Sequence, residues 1–348
     1  MCKADLVAVS RCGLSVPDHY VLGCIMNKLW ILLTAVTVIA LVLTTVPALG
    51  QVTAGTSLPG KNQKKPLPVI DMHMHARVKL NFSPDGKPLP RPCDPQPCRA
   101  PAAVYTTDDA IRLGTLAAMD KYNVVKAFLS DEPDGVRKWV ESAPGRFVAS
   151  VAWDSEFPDI DWLRKEYRTG RLKGLGEIGT QYATIAPNDP RLEPYYSLAE
   201  ELDLPVLIHT AGLGAHTPGF RASLGHPLLL EEVLVRHPRL RLYVENAGYP
   251  FLDEMVALMT QYPQVYADVS TITWIIPRSA FHRYLKGLID AGLGKRVMMG
   301  SDQMEWPETV GLAIAAINSA DYLTTEQKRD LLCRNAARFL RLEEKVCQ

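Results

Sequence analysis

The chain has 348 residues, and its 38 basic and 38 acidic side chains give a formal net charge of zero at neutral pH. This length allows a large core, either in one α/β barrel of about 250 residues or in two average domains. The balanced charge excludes a global electrostatic field that would favour nucleic acid or an anionic membrane surface. Any partner must therefore be recognised locally, and no nucleic-acid partner is expected.

A long apolar run lies near the N-terminus. The uncharged sequence LWILLTAVTVIALVLTTV at 29–46 follows Lys28 and precedes PALGQ. A basic start, an apolar core and a small-residue cleavage site near Gly50 are typical of a secretory signal peptide. We therefore expect residues 1–50 to be an N-terminal extension and signal peptide, with Met26 as the true start and an exported, periplasmic or secreted product. The alternative is a membrane anchor retained at residues 29–46, because eighteen such residues nearly span a bilayer.

Four cysteines follow the predicted cleavage site, namely Cys93, Cys98, Cys333 and Cys347. An even number suits disulfide formation in an oxidising compartment. The proline-rich loop RPCDPQPCR makes a local Cys93–Cys98 disulfide plausible, and Cys333 with Cys347 is a second candidate pair. Unpaired thiols are the alternative.

Residues 51–66 are rich in Gly, Pro, Lys and polar side chains, which predicts a flexible linker ahead of a domain at 67–348. In that domain eight apolar runs alternate with amphipathic stretches. The runs are LPVIDMHMH, VVKAFLS, FVASVAW, LKGLGEIG, LPVLIHTA, LRLYVENAG, QVYADVS and RVMMGSD. Continuous apolar strands are expected when both faces of a parallel sheet are covered. Eight βα repeats predict a (β/α)8 TIM barrel, with an open doubly wound sheet as the alternative.

Polar side chains interrupt the ends of these runs at five positions, namely His73, His75, Glu177, His209 and Asp302. Catalytic groups of a barrel gather where its strands end. Strand alternation places His73 and His75 on one side of the first run, and Met72 and Met74 on the other. Singly, each polar residue has an ordinary structural explanation. Jointly, the imidazoles and carboxylates predict a metal site, because divalent cations such as zinc prefer these ligands.

The pattern of HxH on strand one, an acidic residue on strand four, His on strand five and Asp on strand eight resembles the amidohydrolase superfamily, specifically amidohydrolase family 2. The segments ENAGYPFLDEM, QVYADVS, MMGSDQMEWP and NAARFL are also similar to that branch, and the resemblance extends from Pro68 to Leu342. It implies a metal-dependent hydrolase whose ligands include His73, His75, His209 and Asp302. Glu177 matches the strand-four position, where a glutamate resembles the metal-dependent deoxyribonuclease branch.

The chain departs from this family on strand six. Relatives carry a histidine in an H-x-G pattern that binds a second metal or polarises the substrate, whereas this chain has Asn246, Ala247 and Gly248. Asparagine donates hydrogen bonds but cannot shuttle a proton and is a poor ligand for a transition metal. Glu245 beside it should face away by strand alternation, unless a bulge reverses it. We therefore predict one tightly held divalent ion, zinc in the first instance with manganese or iron as alternatives, and leave a weak second metal open.

The predicted activity is hydrolysis of an amide, lactone or ester carbonyl in a small-molecule substrate. A metal lowers the pKa of bound water from 15.7 towards about 7. Asp302 would act as general base and then general acid, and Asn246, with Tyr182 or a backbone amide, would stabilise an oxyanion. Further candidates for substrate contact, which could equally be loop or packing residues, are His216, Trp274 and Trp306.

Two other functions remain open at this stage. The same branch contains metal-dependent, non-oxidative decarboxylases of aromatic or unsaturated acids, although these typically keep the strand-six histidine that is replaced by Asn246 here. A non-catalytic binding protein on the same fold is the second alternative. The substrate, the metal and the oligomeric state, including a homo-oligomer, are not fixed by the sequence.

Overall fold

The protein is described by a computed structural model over residues 66–76, 105, 107–214 and 219–348. Eight strands alternate with helices along this part of the chain. The strands are β1 (Val69–His75), β2 (Val124–Ser130), β3 (Phe147–Ala149), β4 (Leu175–Ile178), β5 (Pro205–Ile208), β6 (Arg241–Val244), β7 (Val265–Asp268) and β8 (Val297–Met298). The helices are α1 (Asp108–Lys121), α2 (Pro133–Ser142), α3 (Ile160–Arg168), α4 (Glu193–Leu202), α5 (Glu231–Arg236), α6 (Leu252–Gln261), α7 (Arg278–Asp290), α8 (Glu308–Asn318), α9 (Thr325–Arg329) and α10 (Asn335–Phe339).

The strands follow one another around a ring in chain order. Strands β1 to β3 pair in parallel, and so do strands β4 to β8. The two sets meet through parallel bridges, one between Trp153 and Ile178 and one between Met74 and Gln303. Helices cover the outside of the ring, as parallel strands buried on both faces require. The predicted (β/α)8 TIM-barrel fold is confirmed.

One apolar cluster contains side chains from six of the strands, and it fills the inside of the ring. Its strand members are Ile70, Met72, Phe128, Val148, Leu207, Tyr243 and Met298. Met74 packs instead in the larger cluster between strands and helices. The prediction that Met72 and Met74 share one side is therefore wrong, because the register of β1 against β2 shifts between Asp71 and Met74. Such an irregularity interrupts the alternation of side chains along a strand.

The C-terminal segment closes the amino-terminal end of the ring. Phe339 of α10 joins the inner apolar cluster. Arg329 donates a hydrogen bond from Nη2 to the carbonyl oxygen of Pro68, directly ahead of β1, at 2.9 Å. Cys333 and Cys347 form a disulfide with their Cα atoms 5.9 Å apart, and both are buried. This bond therefore ties the end of the chain to the floor of the barrel.

Several predictions fall on other parts of the chain. The signal peptide at 1–50, nearly all of the linker at 51–66, and the Cys93–Cys98 pair lie outside the described residues. Within the residues that are described, no helix is both long and apolar enough to cross a membrane.

Replacing Cys333 and Cys347 together by alanine should lower the free energy of unfolding by about 3 kcal/mol. The bond joins residues 14 positions apart, and opening a loop of this size restores conformational freedom to the unfolded chain. Urea denaturation followed by circular dichroism measures the change. Measuring the double variant with and without reductant shows whether any other disulfide contributes to stability. A denaturation midpoint equal to that of the wild type would contradict the structural role of the Cys333–Cys347 bond.

Candidate metal centre

The carboxyl ends of the strands bring two imidazoles and two carboxylates into contact. Nε2 of His73 lies 3.1 Å from Nε2 of His75 and 3.6 Å from Oε2 of Glu177. Nε2 of His75 lies 3.4 Å from the same glutamate oxygen. Oδ1 of Asp302 lies 3.2 Å from His75 Nε2 and 3.7 Å from His73 Nε2. A tetrahedral ion with ligand distances of about 2.1 Å needs donor atoms about 3.4 Å apart, so this spacing fits one divalent cation.

All four of these side chains are buried. Burial opposes protonation of His73 and His75, but the surrounding carboxylates outweigh it and raise the pKa of both imidazoles. Burial also opposes ionisation of Glu177 and Asp302, yet the imidazoles outweigh it and lower the pKa of both carboxyl groups. The carboxylates are therefore ionised at neutral pH, and a bound cation would replace protons on the imidazoles.

A second group of donors adjoins the first and shares Glu177 with it. One ligand atom from each of Glu177, His209 and Glu245 lies within 4.8 Å of the other two, and the same holds for His73, His75 and Glu177. Nε2 of His209 is 3.8 Å from Oε1 of Glu245. These buried histidines and glutamates could hold a divalent metal.

The imidazole of His209 is oriented by Gln181. Nε2 of Gln181 donates to the backbone carbonyls of Ala211 and Arg221 at 2.7 and 3.0 Å, so its Oε1 is left to accept. That oxygen lies 2.9 Å from Nδ1 of His209, which must therefore carry the proton. Nε2 of His209 then keeps a lone pair, and the Tyr182 hydroxyl, 3.0 Å away, donates to it.

The turn after β6 differs from the sequence prediction. Residues Glu245–Gly248 form a tight turn in which Asn246 and Ala247 have φ angles of 53° and 49°. Asparagine tolerates this left-handed region better than most residues. The turn breaks the alternation of the strand, and Oε1 of Glu245 lies 3.9 Å from Nδ1 of His73. The prediction from alternation that Glu245 faces away is therefore wrong.

The Asn246 side chain stabilises this turn. Its Nδ2 donates to Oε1 of Glu245 at 2.9 Å, and its Oδ1 accepts from the backbone N–H of Thr271 at 2.8 Å and lies 3.3 Å from Oγ of Ser270. Burial, reinforced by the nearby Glu177 carboxylate, raises the pKa of Glu245. The role of Asn246 as an oxyanion donor stays a prediction, since these contacts serve the turn.

Asp268 at the end of β7 connects this turn to His73. Its Oδ1 accepts hydrogen bonds from the backbone N–H groups of Asn246 and Ser270 at 3.1 and 3.0 Å. Oγ of Ser270 also donates to that oxygen and lies 3.1 Å from Nδ1 of His73. Since the hydroxyl proton is directed to Asp268, the serine oxygen accepts from Nδ1 of His73. Nε2 of His73 is thereby left free to face a cation.

The remaining predicted residues have different positions. Trp274 is only 2% exposed, donates from Nε1 to the carbonyl oxygen of Ser301 at 2.8 Å, and meets Trp306 edge to face. The Tyr182 ring lies 4.5 Å from that of His209 and 5.5 Å from that of Phe220, measured between centroids. His216 lies outside the described residues. The substrate contacts predicted for Tyr182, His216, Trp274 and Trp306 stay predictions.

The sequence analysis did not identify Gln181 as a site residue, and it predicted that Glu245 faces away from the site. Gln181 follows a predicted strand by two residues and Glu245 lies near the end of another, and this position is the one pattern that would have drawn attention to them. Gln181 lies in the short 3-10 turn Thr180–Ala183, and that turn directs its amide towards His209. The sequence contains no periodic pattern from which such a turn can be predicted.

Comparison with known proteins identifies the family. The family model described as Amidohydrolase matches residues 70–342. Protein fluG of Emericella nidulans is 26% identical in an alignment of 156 residues that covers 40% of this chain and 18% of fluG. The match thus spans less than a fifth of that relative's length.

Solved structures with low sequence identity have the same fold. A probable 2-pyrone-4,6-dicarboxylic acid hydrolase from Acinetobacter baumannii, with citric acid bound, has a TM-score of 0.55 at 14% identity over 79% of this chain and 99% of that one. A 5-carboxyvanillate decarboxylase variant from Novosphingobium aromaticivorans, with bound manganese, has a TM-score of 0.51 at 16% identity over 81% and 99% of the two chains. At these identities the likeness shows the fold alone. The match over residues 70–342 shows that the chain belongs to the amidohydrolase family, which includes hydrolases and decarboxylases.

Proposed function

We propose that the chain is a metal-dependent hydrolase acting on an amide, lactone or ester carbonyl of a small molecule. The observation that carries this proposal is the spacing of 3.1 to 3.7 Å among the donor atoms of His73, His75, Glu177 and Asp302. Two imidazoles and two carboxylates suit zinc, our first expectation, and also manganese or iron. A divalent cation held there supplies Lewis-acid chemistry, which polarises a carbonyl and acidifies water.

Asp302 is the residue that we assign to proton transfer. Its Oδ2 accepts a hydrogen bond from the Thr271 hydroxyl, which fixes the orientation of the carboxylate, while Oδ1 faces His75. Although burial opposes ionisation, His73 and His75 hold the pKa of Asp302 below its usual range. An ionised, oriented carboxylate can take a proton from attacking water and return it to the leaving group.

Tyr182 supplies a hydrogen-bond donor on the other side of the site. In the structure its hydroxyl donates to Nε2 of His209. When a cation or substrate occupies that lone pair, the hydroxyl is released and can donate to the oxygen on which negative charge develops. Gln181 keeps the lone pair on Nε2 throughout, because it holds the proton of His209 on Nδ1.

A decarboxylase is the alternative, supported by the fold shared with the manganese-containing decarboxylase. Both reactions use an electrophilic metal, but they break different bonds, so isotopes from solvent distinguish them.

We also propose that the protein functions outside the cytoplasm. The Cys333–Cys347 disulfide supports this location, because such bonds persist in oxidising compartments.

Replacing His73 by alanine should weaken binding of the tightest divalent ion by more than about 100-fold, the upper end of the loss caused by removing an outer-shell partner. Competition with a fluorescent chelator measures the affinity. His237→Ala is the matched control. His237 is also buried, but its described hydrogen-bond partners are Glu193 and Glu200, neither of which is a proposed ligand. Equal affinity in the two variants would contradict the proposed ligand set.

Replacing Gln181 by methionine should weaken metal binding about 10- to 100-fold, because the proton of His209 is no longer held on Nδ1. The nitrogen-15 chemical shifts of the imidazole report the tautomer directly. Gln261→Met at the exposed end of α6 is the control. An unchanged tautomer with unchanged affinity would refute the orienting role of Gln181.

Turnover in ¹⁸O-labelled water should place one ¹⁸O atom in the acyl product and release no carbon dioxide. A panel of lactones, esters and amides, together with aromatic carboxylic acids, is suitable. Asp302→Asn should lower kcat by about 100- to 10,000-fold because the amide cannot accept the proton. In a parallel reaction in deuterated water, release of carbon dioxide with a deuterium atom on the carbon that carried the carboxyl group would instead establish the decarboxylase. Metal binding without turnover on any substrate would favour a binding protein.

A further inference from the structure

We infer that Phe220 forms an aromatic subsite beside the metal centre, and that the substrate carries a flat aromatic ring next to its reactive carbonyl. This inference names the substrate class of the proposed function and rests on that function for the position of the carbonyl. Phe220 is half-buried and lies on the loop after β5, the strand that ends directly before His209. The proposed chemistry gives Phe220 no part in breaking the bond, so a role in substrate selection is open to it.

Three rings meet beside the metal centre. The centroid of the Phe220 ring lies 5.5 Å from that of Tyr182 and 6.1 Å from that of His209, and its plane is inclined by 79° to the imidazole. Tilted and edge-to-face contacts of this kind are the ones that aromatic pairs prefer. The Tyr182 hydroxyl lies 3.0 Å from Nε2 of His209. Tyr182 and Phe220 therefore form an aromatic wall that adjoins the point at which the substrate oxygen would be stabilised.

Hydrogen bonds on both sides of Phe220 fix it to the loop after β4. Oγ1 of Thr184 donates to the carbonyl oxygen of Gly219 at 2.8 Å, and Nε2 of Gln181 donates to that of Arg221 at 3.0 Å. The peptides before and after Phe220 are thus both held. A ring that is fixed in this way loses little conformational freedom when a ligand binds, and this favours affinity.

The ring of Phe220 packs directly on the backbone of Gly214. A Cβ atom at position 214 would lie 2.3 Å from Cγ of Phe220 and 2.4 Å from Cδ1, which is too close for either group to stay in place. Glycine is therefore needed at this position for the close approach of the ring. Even a methyl group at position 214 would displace the ring from the aromatic wall.

The aromatic wall favours a flat ring over an aliphatic group. A flat ring can stack on Phe220 in an offset or edge-to-face arrangement, whereas an aliphatic group gains only from the burial of its surface. The Tyr182 hydroxyl, which substrate releases from His209, belongs to the same wall. A ring on the wall therefore brings an adjoining carbonyl within reach of that hydroxyl. Aryl esters and lactones fused to an aromatic ring have this arrangement of groups.

Binding of two phosphonates to the manganese-loaded, full-length protein tests this inference. Phenylphosphonate and methylphosphonate offer the same anion to the cation and differ only in the apolar group. Titration calorimetry should show that the wild type binds phenylphosphonate at least about 10-fold more tightly, because the ring is buried against the aromatic wall. Phe220→Ala should lower the affinity for phenylphosphonate about 10-fold more than that for methylphosphonate. Phe220→Tyr, which keeps the ring, should retain the preference of the wild type.

Gly214→Ala provides a second variant in case Phe220→Ala does not fold. It leaves Phe220 in the chain but removes the space in which the ring lies, so it should cause the same selective loss. Tyr266→Ala is the matched control. The half-buried Tyr266 ring packs 4.9 Å from that of Phe339, at the amino-terminal end of the barrel, and the variant should keep the preference for phenylphosphonate.

The same proteins are then assayed for hydrolysis of phenyl acetate and ethyl acetate. Phe220→Ala should lower kcat/KM about 10-fold more for the aryl ester than for the alkyl ester. Equal affinity of wild type for the two phosphonates, or equal losses for both in Phe220→Ala, would overturn the aromatic subsite and leave the proposed hydrolase intact. A preference for phenylphosphonate that depends on Phe220, in a protein that hydrolyses no ester, lactone or amide, would support the subsite and refute the proposed hydrolysis.

Discussion

Buried charge at the carboxyl ends of the strands is the constraint on which the site depends. Three imidazoles and four carboxylates are kept out of water there, namely His73, His75, His209, Glu177, Glu245, Asp268 and Asp302. Removing one ion from water costs several kcal/mol unless a partner compensates it. The strands provide compensation by bringing the imidazoles of His73 and His75 within 3.2 to 3.7 Å of the carboxylates of Glu177 and Asp302. A divalent cation would complete it.

A layer of hydrogen bonds beneath this cluster holds its members in position. Asp71 accepts from the backbone N–H groups of His73 and Ser301 at 3.1 and 2.9 Å, so it connects β1 to the loop after β8. Burial raises the pKa of Asp71 to about 7. Gln181 and Asp268 orient His209 and His73 in the same manner. The apolar interior below excludes water and strengthens each of these interactions.

The sequence predicts the barrel and most of the ligand atoms because both depend on local patterns. Apolar runs mark strands buried on both faces, and His73, His75 and Asp302 interrupt or follow such runs. Glu245 was misjudged because a left-handed turn, held by Asn246 and Thr271, overrides the period of the strand.

The alternation of Met72 and Met74 fails for a related reason. The shift in register along β1 depends on pairing with β2, a segment about fifty residues away in the chain. The orienting role of Gln181 could not be predicted, because its amide is fixed by two carbonyl groups on the loop after β5. In each case a contact distant in sequence decides the orientation, and no local pattern records that contact.

The central claim is that this cluster holds a divalent cation through the histidines of β1. Anomalous diffraction from crystals grown with manganese tests the claim most directly. We expect the strongest anomalous peak about 2.1 Å from Nε2 of both His73 and His75, with Glu177 and Asp302 completing the ligand set. An empty site, or a strongest peak bound only by surface carboxylates, would contradict the account.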